Sequence, residues 1–567
     1  MLTFKPVPAM IEGRVGIATR RATPERLLNQ SNRDSLMRTK SCNWQITATA
    51  LLSLGGWVAF AQAADQPQWG QRYTRNMVSA ETGLPDRFDP STGENIHWVA
   101  PLGESCYSTP VVAAGRVLIG TNNVRPRDPK HQGDRGVMFC LDEDDGHLLW
   151  QLVAPKLDAD RFFDWPLAGM CSTAAVEGDR VYTVTNRDEV VCLDLQGMAD
   201  GNDGPFVEEG PHMTPHDEPA LEVGPTDADI LWVLDLRTAA GVRPHDSSNA
   251  GILIDGPYLY LNTSNGLTSK HDAVDKPNAP SLVVVDKATG QLLAREREGI
   301  SKGIFHCTWS SPALGEVEGR RLVFFCGGDG VVYAFDALKP GEIQPPASSD
   351  VRSDPGPNAN PDDGVPALNL YWRFDCDPTA PKENIHDYIR NRRESPSNIK
   401  SMPVFHDKRV YVTVGGDIWW GKTQAWLQCI DATQSGDITD RGLVWSHPVE
   451  RHCCSTPSIH DGFAYVADCA GNVHCVDVQT GQARWVHDAG SEIWASTLVA
   501  DGKVYIGTRR GDFWILAAGP KKQVLSSIRL GDAVISTAVA ANGTLYVGTM
   551  SELYALRKGA RSATRAD

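Results

Sequence analysis

From residue 96 onward the chain alternates short apolar runs with polar turns. The runs are rich in Val, Ile, Tyr and Phe, and Gly and Asp cluster between them, as in the similar segments 116–121 and 503–508. Short runs of β-branched and aromatic residues bounded by turn residues are typical of β-strands and not of helices. The pattern therefore predicts an all-β fold over residues 96–559.

These strands recur in eight units. Each unit opens on a serine-containing segment and continues through an apolar strand, a Gly/Asp turn and a second strand to a third strand that ends in Asp. The opening serines are Ser108, Ser172, Ser247, Ser310, Ser401, Ser455, Ser496 and Ser536. A fixed repeat of this kind predicts an array of similar sheets. The eighth unit lacks a fourth strand, and residues 96–102 supply it, which closes a ring and leaves no free sheet edge. The sequence thus predicts an eight-bladed β-propeller of four-stranded blades, the last closed by an N-terminal strand.

The sixth unit carries a family resemblance. Its segment CVDVQTGQARW (475–485) resembles the tryptophan-docking motif of propellers built from pyrroloquinoline-quinone (PQQ) repeats. By this resemblance the chain is similar to the outer-membrane assembly propeller lipoprotein and to the PQQ alcohol dehydrogenases. A tryptophan at the end of this motif is expected to lie against the next blade, and its glycine permits the tight turn. The expected docking residues are Trp98, Trp150, Trp232, Trp372, Trp445 and Trp485.

The first 63 residues have the features of a targeting segment. The apolar run 46–60 has 15 residues, which is shorter than the ~20 that a spanning helix needs. Arg38 and Lys40 precede it and the small-x-small sequence 61–63 follows it, as in a secretory signal peptide. We therefore expect a signal peptide over 37–63 that is cleaved after Ala63, a periplasmic or secreted protein, and no transmembrane segment in the mature chain.

The remaining boundaries follow from this assignment. Met37 stands directly before the basic residues, so residues 1–36 are expected to be an incorrectly assigned upstream start. Residues 64–95 form an N-terminal segment, residues 96–559 form the propeller, and residues 560–567 are expected to be a flexible tail.

The charge balance excludes one class of partner. With 54 Lys and Arg against 70 Asp and Glu, the net charge is −16. Affinity for nucleic acid depends on basic side chains, so no nucleic-acid partner is expected. Thirteen cysteines in 567 residues are too few for a disulfide-stapled scaffold. We expect a monomer that binds a protein partner or a small-molecule ligand.

Insertions in the repeat fall mainly on one face of the predicted ring. They occupy the B–C turns at 122–135, 264–280 and 415–424 and the links between blades, which emerge on the same face. The polar and aromatic residues that this face would collect are Asp164, His245, Asp246, His306, Cys307, Trp309, Lys400, Asp417, His452, Cys453, Cys454 and Trp494. A polar funnel that contains histidines and aromatic rings is a candidate ligand site. The alternative is that these side chains only solvate a water-filled channel.

Two cofactor hypotheses follow. A metal needs three or four N, O or S ligands at one point, and His245, His306, Cys307, His452 and Cys453 have suitable chemistry, although they belong to different blades.

The PQQ alternative rests on the resemblance alone. PQQ alcohol dehydrogenases carry an adjacent cysteine pair beside the quinone, and Cys453-Cys454 is similar to it. The family's calcium ligands and catalytic Asp have no match here, and only Asp164, Asp246 and Asp417 lie near the predicted funnel. The pair is otherwise two buried thiols or a structural bridge, so PQQ with calcium is disfavoured and no cofactor is established.

The sequence therefore favours a non-catalytic, exported propeller that acts as a ligand- or protein-binding scaffold through its loop-elaborated face. The alternative is a PQQ- or metal-dependent oxidoreductase, a quinoprotein-like dehydrogenase if PQQ is used, with its site in the central funnel. A hydrolase or lyase is a third class, for which no paired-carboxylate motif can be placed. The sequence assigns no catalytic residue and no metal ligand.

Overall fold

The computed structural model describes residues 64–157, 160–343 and 364–561. Eight antiparallel sheets follow one another along this part of the chain, which confirms the predicted eight-bladed propeller. The expected signal peptide, the expected start at Met37 and most of the C-terminal tail lie outside the described residues.

We number the blades from the N terminus and letter the strands A to D in each sheet. Blade 1 contains Val111–Ala113, Arg116–Asn122, Arg135–Asp142 and Leu148–Pro155. Blade 2 contains Ala175–Glu177, Arg180–Val184, Glu189–Asp194 and Ile230–Asp235. Blade 3 contains Leu253–Asp255, Tyr258–Asn262, Leu282–Asp286 and Leu292–Arg295. Blade 4 contains Ala313–Val317, Arg320–Cys326, Val331–Asp336 and Leu370–Asp375.

Blade 5 contains Val404–His406, Arg409–Gly415, Ala425–Asp431 and Leu443–Val449. Blade 6 contains Ser458–His460, Phe463–Ala467, Asn472–Asp477 and Ala483–Asp488. Blade 7 contains Leu498–Ala500, Lys503–Gly507, Asp512–Ala517 and Val524–Arg529. Blade 8 contains Val539–Ala541, Thr544–Gly548 and Glu552–Arg561, with Glu94–Pro101 as strand D.

The helices are short connections. The α-helices are Glu209–His212 and Leu236–Ala239, and the 3-10 helices are Gly197–Ala199, Ile300–Gly303 and Ile385–Tyr388. Within the described ranges, therefore, the helical segments lack the length and apolar character that crossing a bilayer requires.

Two features of the sheets concern their edges. Glu94–Pro101 pairs with Glu552–Arg561, with Trp98 opposite Ala555, so both ends of the repeat meet in blade 8. The pair Gly436–Asp437, in the C–D connection of blade 5, adds a parallel fifth strand beside Leu370–Asp375 of blade 4. The repeat pattern did not predict this fifth strand.

The expected docking tryptophans lie on strands D and contact the following blade. Five of their indole N–H groups donate to backbone carbonyls there, as Trp98 does to Glu143 at 3.0 Å and Trp150 does to Leu195 at 3.0 Å. Trp372 is completely buried against Phe324, but its indole nitrogen has no hydrogen-bond partner among the residues that the structure describes.

The opening serine and threonine residues join the blades around the channel. The amide of Thr109 donates to Thr173 Oγ1 at 3.1 Å, from blade 1 to blade 2. The amide of Thr537 donates to Thr109 Oγ1 at 3.3 Å, from blade 8 back to blade 1. Small hydroxyl residues recur at these places because they fit a crowded ring and satisfy backbone groups that no sheet pairs.

The N-terminal segment crosses the channel and contacts every blade. Its contacts in blade order are Gln66 with Val112, Pro67 with Val176, Arg75 with Gly251, Tyr73 with Leu314, Thr74 with Phe405, Asn76 with Ile459, Ser79 with Val499 and Ser79 with Ala540. These partners lie on strands A or directly before them. We call residues 66–79 the plug, because together they contact this innermost part of all eight blades.

Arg75 is the centre of the plug. Its side chain is 0 % exposed, and its guanidinium donates to the carbonyls of Pro312 at 2.9 Å, Trp69 at 3.1 Å and Gly251 at 3.0 Å. Burial lowers the pKa of Arg75 to about 10. The guanidinium therefore stays charged at neutral pH and satisfies carbonyls from two blades and from the plug itself.

Replacing Gly146 with alanine is expected to destabilise the protein by roughly 1–3 kcal/mol more than replacing Gly115 does. The two glycines have φ of +78° and +77°, so both substitutions carry the same backbone strain. A Cβ at Gly146 would lie 2.7 Å from the Trp98 ring, whereas a Cβ at Gly115 meets nothing within 4 Å. Urea unfolding of both variants measures the difference. Equal losses would show that the Trp98 contact contributes nothing.

Candidate functional site

Three segments on the loop-elaborated face bring three imidazoles and a carboxylate together. His245 and Asp246 lie in the link into blade 3, His271 lies in the B–C turn of blade 3, and His306 lies in the link into blade 4. One nitrogen of each histidine lies within 4.8 Å of the others, and all three rings are buried. We call these four residues the histidine cluster.

His245 and His271 face each other with their unprotonated nitrogens. Nδ1 of His245 donates to the carbonyl of Leu267 at 2.9 Å, and Nδ1 of His271 donates to the carbonyl of Ser269 at 3.2 Å. Since each Nδ1 needs its proton for a carbonyl, each Nε2 carries a lone pair. The two Nε2 atoms are nonetheless 3.1 Å apart. Two lone pairs at this distance repel each other unless a proton or a cation lies between them.

His306 completes the cluster and is oriented by a carboxylate. Its Nδ1 lies 3.1 Å from Asp417 Oδ2, and its Nε2 lies 3.4 Å from Asp246 Oδ2. The indole N–H of Trp420 donates to the same Nε2 at 3.2 Å. A histidine whose far nitrogen is hydrogen-bonded to a carboxylate is the usual arrangement of a metal-ligating imidazole.

Asp417 is saturated by five donors. Its Oδ2 accepts from His306 at 3.1 Å, Lys400 at 3.1 Å and Asn398 at 3.0 Å. Its Oδ1 accepts the backbone N–H groups of Trp419 at 2.9 Å and Trp420 at 3.0 Å. Because no oxygen lone pair remains free, Asp417 positions its neighbours and is not itself a ligand.

Lys400 lies behind the cluster and holds a thiol. Its Nζ is 3.0 Å from Cys307 Sγ and lies 4.3 Å from the centre of the Trp309 ring. Trp309, Trp419 and Trp494 pack edge to face in succession, with ring centres 5.8 and 5.7 Å apart. These indoles form an apolar wall beside the charged groups.

Burial and the mutual contacts set the charge of the cluster. Burial lowers the pKa of His245 to about 2, with further lowering by His306 and His271. Burial and then His306 also lower the pKa of His271. Burial lowers the pKa of His306, but Asp417 and Cys307 outweigh it and raise the pKa to about 10. His245 and His271 are therefore neutral at neutral pH, the form that binds metals.

The acidic groups are shifted in opposite directions. Burial raises the pKa of Asp246, and His306 and Lys400 oppose that shift. Burial would also raise the pKa of Asp417, but Lys400 and His306 hold it well below its usual range. Asp417 therefore stays ionised, and the carboxylate of Asp246, whose side chain is 20 % exposed, is the member of the cluster that reaches solvent.

Asp164 and Cys453 were also predicted to line the funnel, but their contacts lie outside the histidine cluster. Asp164 is buried in an ion pair with Lys156 and also accepts from Asn186. The thiol of Cys453 donates to the carbonyl of Ala467 at 2.6 Å and packs in the core between blades 5 and 6.

The two remaining predicted residues lie in a separate group. Cys454 interacts with Cys469 and Lys400, and His452 lies near Cys469 and Glu492. Cys453 and Cys454 are free thiols in this structure.

Sequence reasoning missed His271, Asn398, Trp419 and Trp420. His271 and both tryptophans belong to the B–C insertions 264–280 and 415–424, which the repeat pattern did identify. A rule that joins each link to the B–C turn of its own blade would have found His271, because both emerge on the same face.

The chemistry of this set points to a metal. Two neutral imidazoles, the imidazole of His306 and one carboxylate oxygen are ligand types that suit first-row transition metals, whereas calcium takes oxygen ligands. The carbonyl, carboxylate and indole groups around the rings fix their orientation, as the outer shell of a metal centre does.

The family model for the outer membrane protein assembly factor BamB matches residues 76–197, 134–353 and 423–561. Among curated proteins, the quinohemoprotein alcohol dehydrogenase of Comamonas testosteroni is 29 % identical over 114 residues, which is 17 % of this chain and 15 % of that enzyme. The alignment thus spans only a small part of the enzyme's length.

The chain is similar to solved structures as well. A europium-containing methanol dehydrogenase is 11 % identical, with a TM-score of 0.53 over 86 % of this chain and 89 % of its own. BamB from Moraxella catarrhalis is 12 % identical, with a TM-score of 0.47 over 83 % of this chain and 99 % of its own. The family model matches well over half of the chain, and the chain therefore belongs to the PQQ-repeat propeller family that is described by the assembly factor BamB.

Proposed function

We propose that the protein is a metal-dependent oxidoreductase that holds a divalent transition-metal ion in the histidine cluster. The observation that carries this proposal is the 3.1 Å approach of His245 Nε2 and His271 Nε2, each with its proton committed to a carbonyl. A cation between the two lone pairs turns a repulsive contact into two coordinate bonds, and His306 and Asp246 complete a four-ligand set.

Two observations support an oxidoreductase: the ligand types in the cluster and the similarity to a known dehydrogenase. An imidazole-rich set suits redox-active iron and copper as well as zinc. The curated relative is a dehydrogenase. Asp246 is the ligand that reaches solvent, so a small substrate would approach on its side. Asp417 and Lys400 would hold His306 in place, and the indoles of Trp309 and Trp419 would exclude water from the inner side.

PQQ with calcium does not fit these residues. A calcium ion needs several free oxygen ligands, but Asp417 is already saturated by five donors and Asp246 faces imidazoles. The adjacent thiols diverge, since Cys453 donates into the blade core while Cys454 faces Lys400.

The scaffold hypothesis remains the second candidate, supported by the match to the assembly-factor family model and by the one-sided insertions.

Export is part of both proposals. The backbone nitrogen of Ala64, which would be the first residue after cleavage at Ala63, lies 2.9 Å from the buried Glu81 carboxylate. An α-ammonium group there would gain an ion pair. Mass spectrometry of the native N terminus tests the cleavage.

Replacing His271 with alanine is expected to weaken transition-metal binding by at least about 100-fold, since even outer-shell changes cost 10–100-fold. Competition titration of the metal-free protein with Co²⁺ or Zn²⁺ measures the change, and dye-linked alcohol oxidation by the loaded protein follows the activity. His447→Ala is the matched control, because His447 also makes a histidine–histidine contact, to His474 at 3.3 Å, away from the cluster. Equal affinities in the two variants would contradict the proposed ligand set.

A further inference from the structure

The histidine cluster follows a rule of the repeat. Its ligands come from the link into blade 3, the B–C turn of blade 3 and the link into blade 4. In a propeller, these three segments of any blade meet at one point on the loop-elaborated face. The same three segments of another blade can therefore build a second site without any new architecture.

Blade 6 has side chains of ligand type at the corresponding places. His452 lies in the link into blade 6, Cys469 lies in the B–C turn of blade 6, and Glu492 lies in the link into blade 7. One ligand atom of each lies within 4.8 Å of the others. The amide of Cys469 donates to the carbonyl of His452 at 3.0 Å, which ties the first two segments together.

The histidine of this group has an unused nitrogen. His452 is 4 % exposed, and within residues 64–157, 160–343 and 364–561 its buried Nε2 finds no hydrogen-bond partner. A buried imidazole nitrogen without a partner loses its hydration without compensation, which a bound ligand would supply.

Neighbouring side chains hold the carboxylate of Glu492 and the thiol of Cys469. Glu492 accepts from Trp494 Nε1 at 3.1 Å and from Arg509 Nη1 at 3.1 Å, contacts that fix the carboxylate. The thiol of Cys454 adjoins that of Cys469.

We propose that His452, Cys469 and Glu492, with Cys454 as the fourth ligand, form a second metal site that binds a zinc-like divalent ion. One nitrogen, two sulfurs and one carboxylate oxygen are ligands that Zn²⁺ accepts in a tetrahedral site. The two sites differ in chemistry, since the blade 6 site contains cysteine sulfurs and the histidine cluster does not.

A contrasting group shows why ligand type alone is insufficient. Asp128, His131 and Asp227 also lie close together, but the ammonium of Lys130 lies 3.6 Å from Asp128 and 2.5 Å from Asp227. A lysine already occupies the place of a cation there. Lys130 contacts two members of its group, whereas Arg509 pairs with one proposed ligand of the blade 6 group, Glu492.

The test uses the full mature protein with reduced thiols and two probes, Zn²⁺ and Cd²⁺. The wild type is expected to bind two equivalents of Zn²⁺ and to show the ultraviolet thiolate-to-cadmium charge-transfer band with Cd²⁺. Cys469→Ser and Cys454→Ser are expected to lose the band and one equivalent of Zn²⁺. Cys453→Ser is the matched control and should keep both, because its thiol is committed to the carbonyl of Ala467.

The two sites are distinguished in the same experiment. His271→Ala should keep the cadmium band and lose the other equivalent of zinc, so failure of one site does not imply failure of the other. Absence of the band in the reduced wild type, or an equal loss in Cys453→Ser and Cys454→Ser, would overturn the proposal. A Cys454–Cys469 disulfide in the protein isolated without reductant would overturn it as well.

Discussion

Replacing Asp417 with alanine should lower the free energy of unfolding by about 3–5 kcal/mol, as removal of one partner from a buried ion pair does. Asp417 is 0 % exposed and holds Lys400, whose side chain is 5 % exposed. Without the carboxylate, the ammonium remains buried beside the Cys307 thiol and two indole faces. Urea unfolding of the metal-free protein measures the loss.

The double variant Asp417→Ala/Lys400→Met separates charge from packing. If the unpaired ammonium causes the loss, removing it restores part of the stability, and the double variant is more stable than the sum of the single changes implies. Strictly additive losses would show that Asp417 acts through its hydrogen bonds to Asn398 and the backbone instead.

Replacing Arg75 with alanine should cost about 3–5 kcal/mol, because three buried carbonyls lose their donor at once. The contacts to Pro312, Gly251 and Trp69 join the plug to blades 3 and 4, so the loss should extend to the seating of residues 66–79. Urea unfolding gives the free energy, and hydrogen exchange of the amides of Val112, Leu314 and Val499 reports on the plug.

Arg72→Ala is the control for Arg75. Arg72 belongs to the same segment, but its side chain is 53 % exposed and forms a surface ion pair with Glu177. Such pairs contribute about 0–1 kcal/mol. If the two alanine variants were equally stable, the plug would not depend on the buried guanidinium.

Local patterns were sufficient to predict the fold. Strand alternation and the recurring serine segments are properties of neighbouring residues, and the missing fourth strand of the last unit identified the closing strand around Trp98. The fifth strand of blade 4 could not be predicted in this way, because Gly436 and Asp437 look like turn residues and pair only once two blades are side by side.

The sequence predicted which face of the ring carries the site, but not all of the residues that form it. The links gave His245, Asp246, His306 and Lys400, the B–C turn 415–424 gave Asp417, and the structure brings these five into one network. Their distances depend on long-range loop packing, which leaves no periodic signal in the sequence.

Two further features required three-dimensional information. The divergence of Cys453 and Cys454 depends on which way each thiol points from the chain. The plug lies in an irregular segment whose partners are spread over the whole ring, so no repeat or periodicity marks it in the sequence.

The metal content of the purified protein tests the central claim most directly. After loading with Co²⁺ or Zn²⁺ in the Cys469→Ser background and removal of excess metal, native mass spectrometry should find one ion bound to each chain. The further substitutions His245→Ala, His271→Ala and His306→Ala should abolish this ion while the chain stays folded. A chain without metal before these substitutions, or with the same metal content after them, would contradict the account.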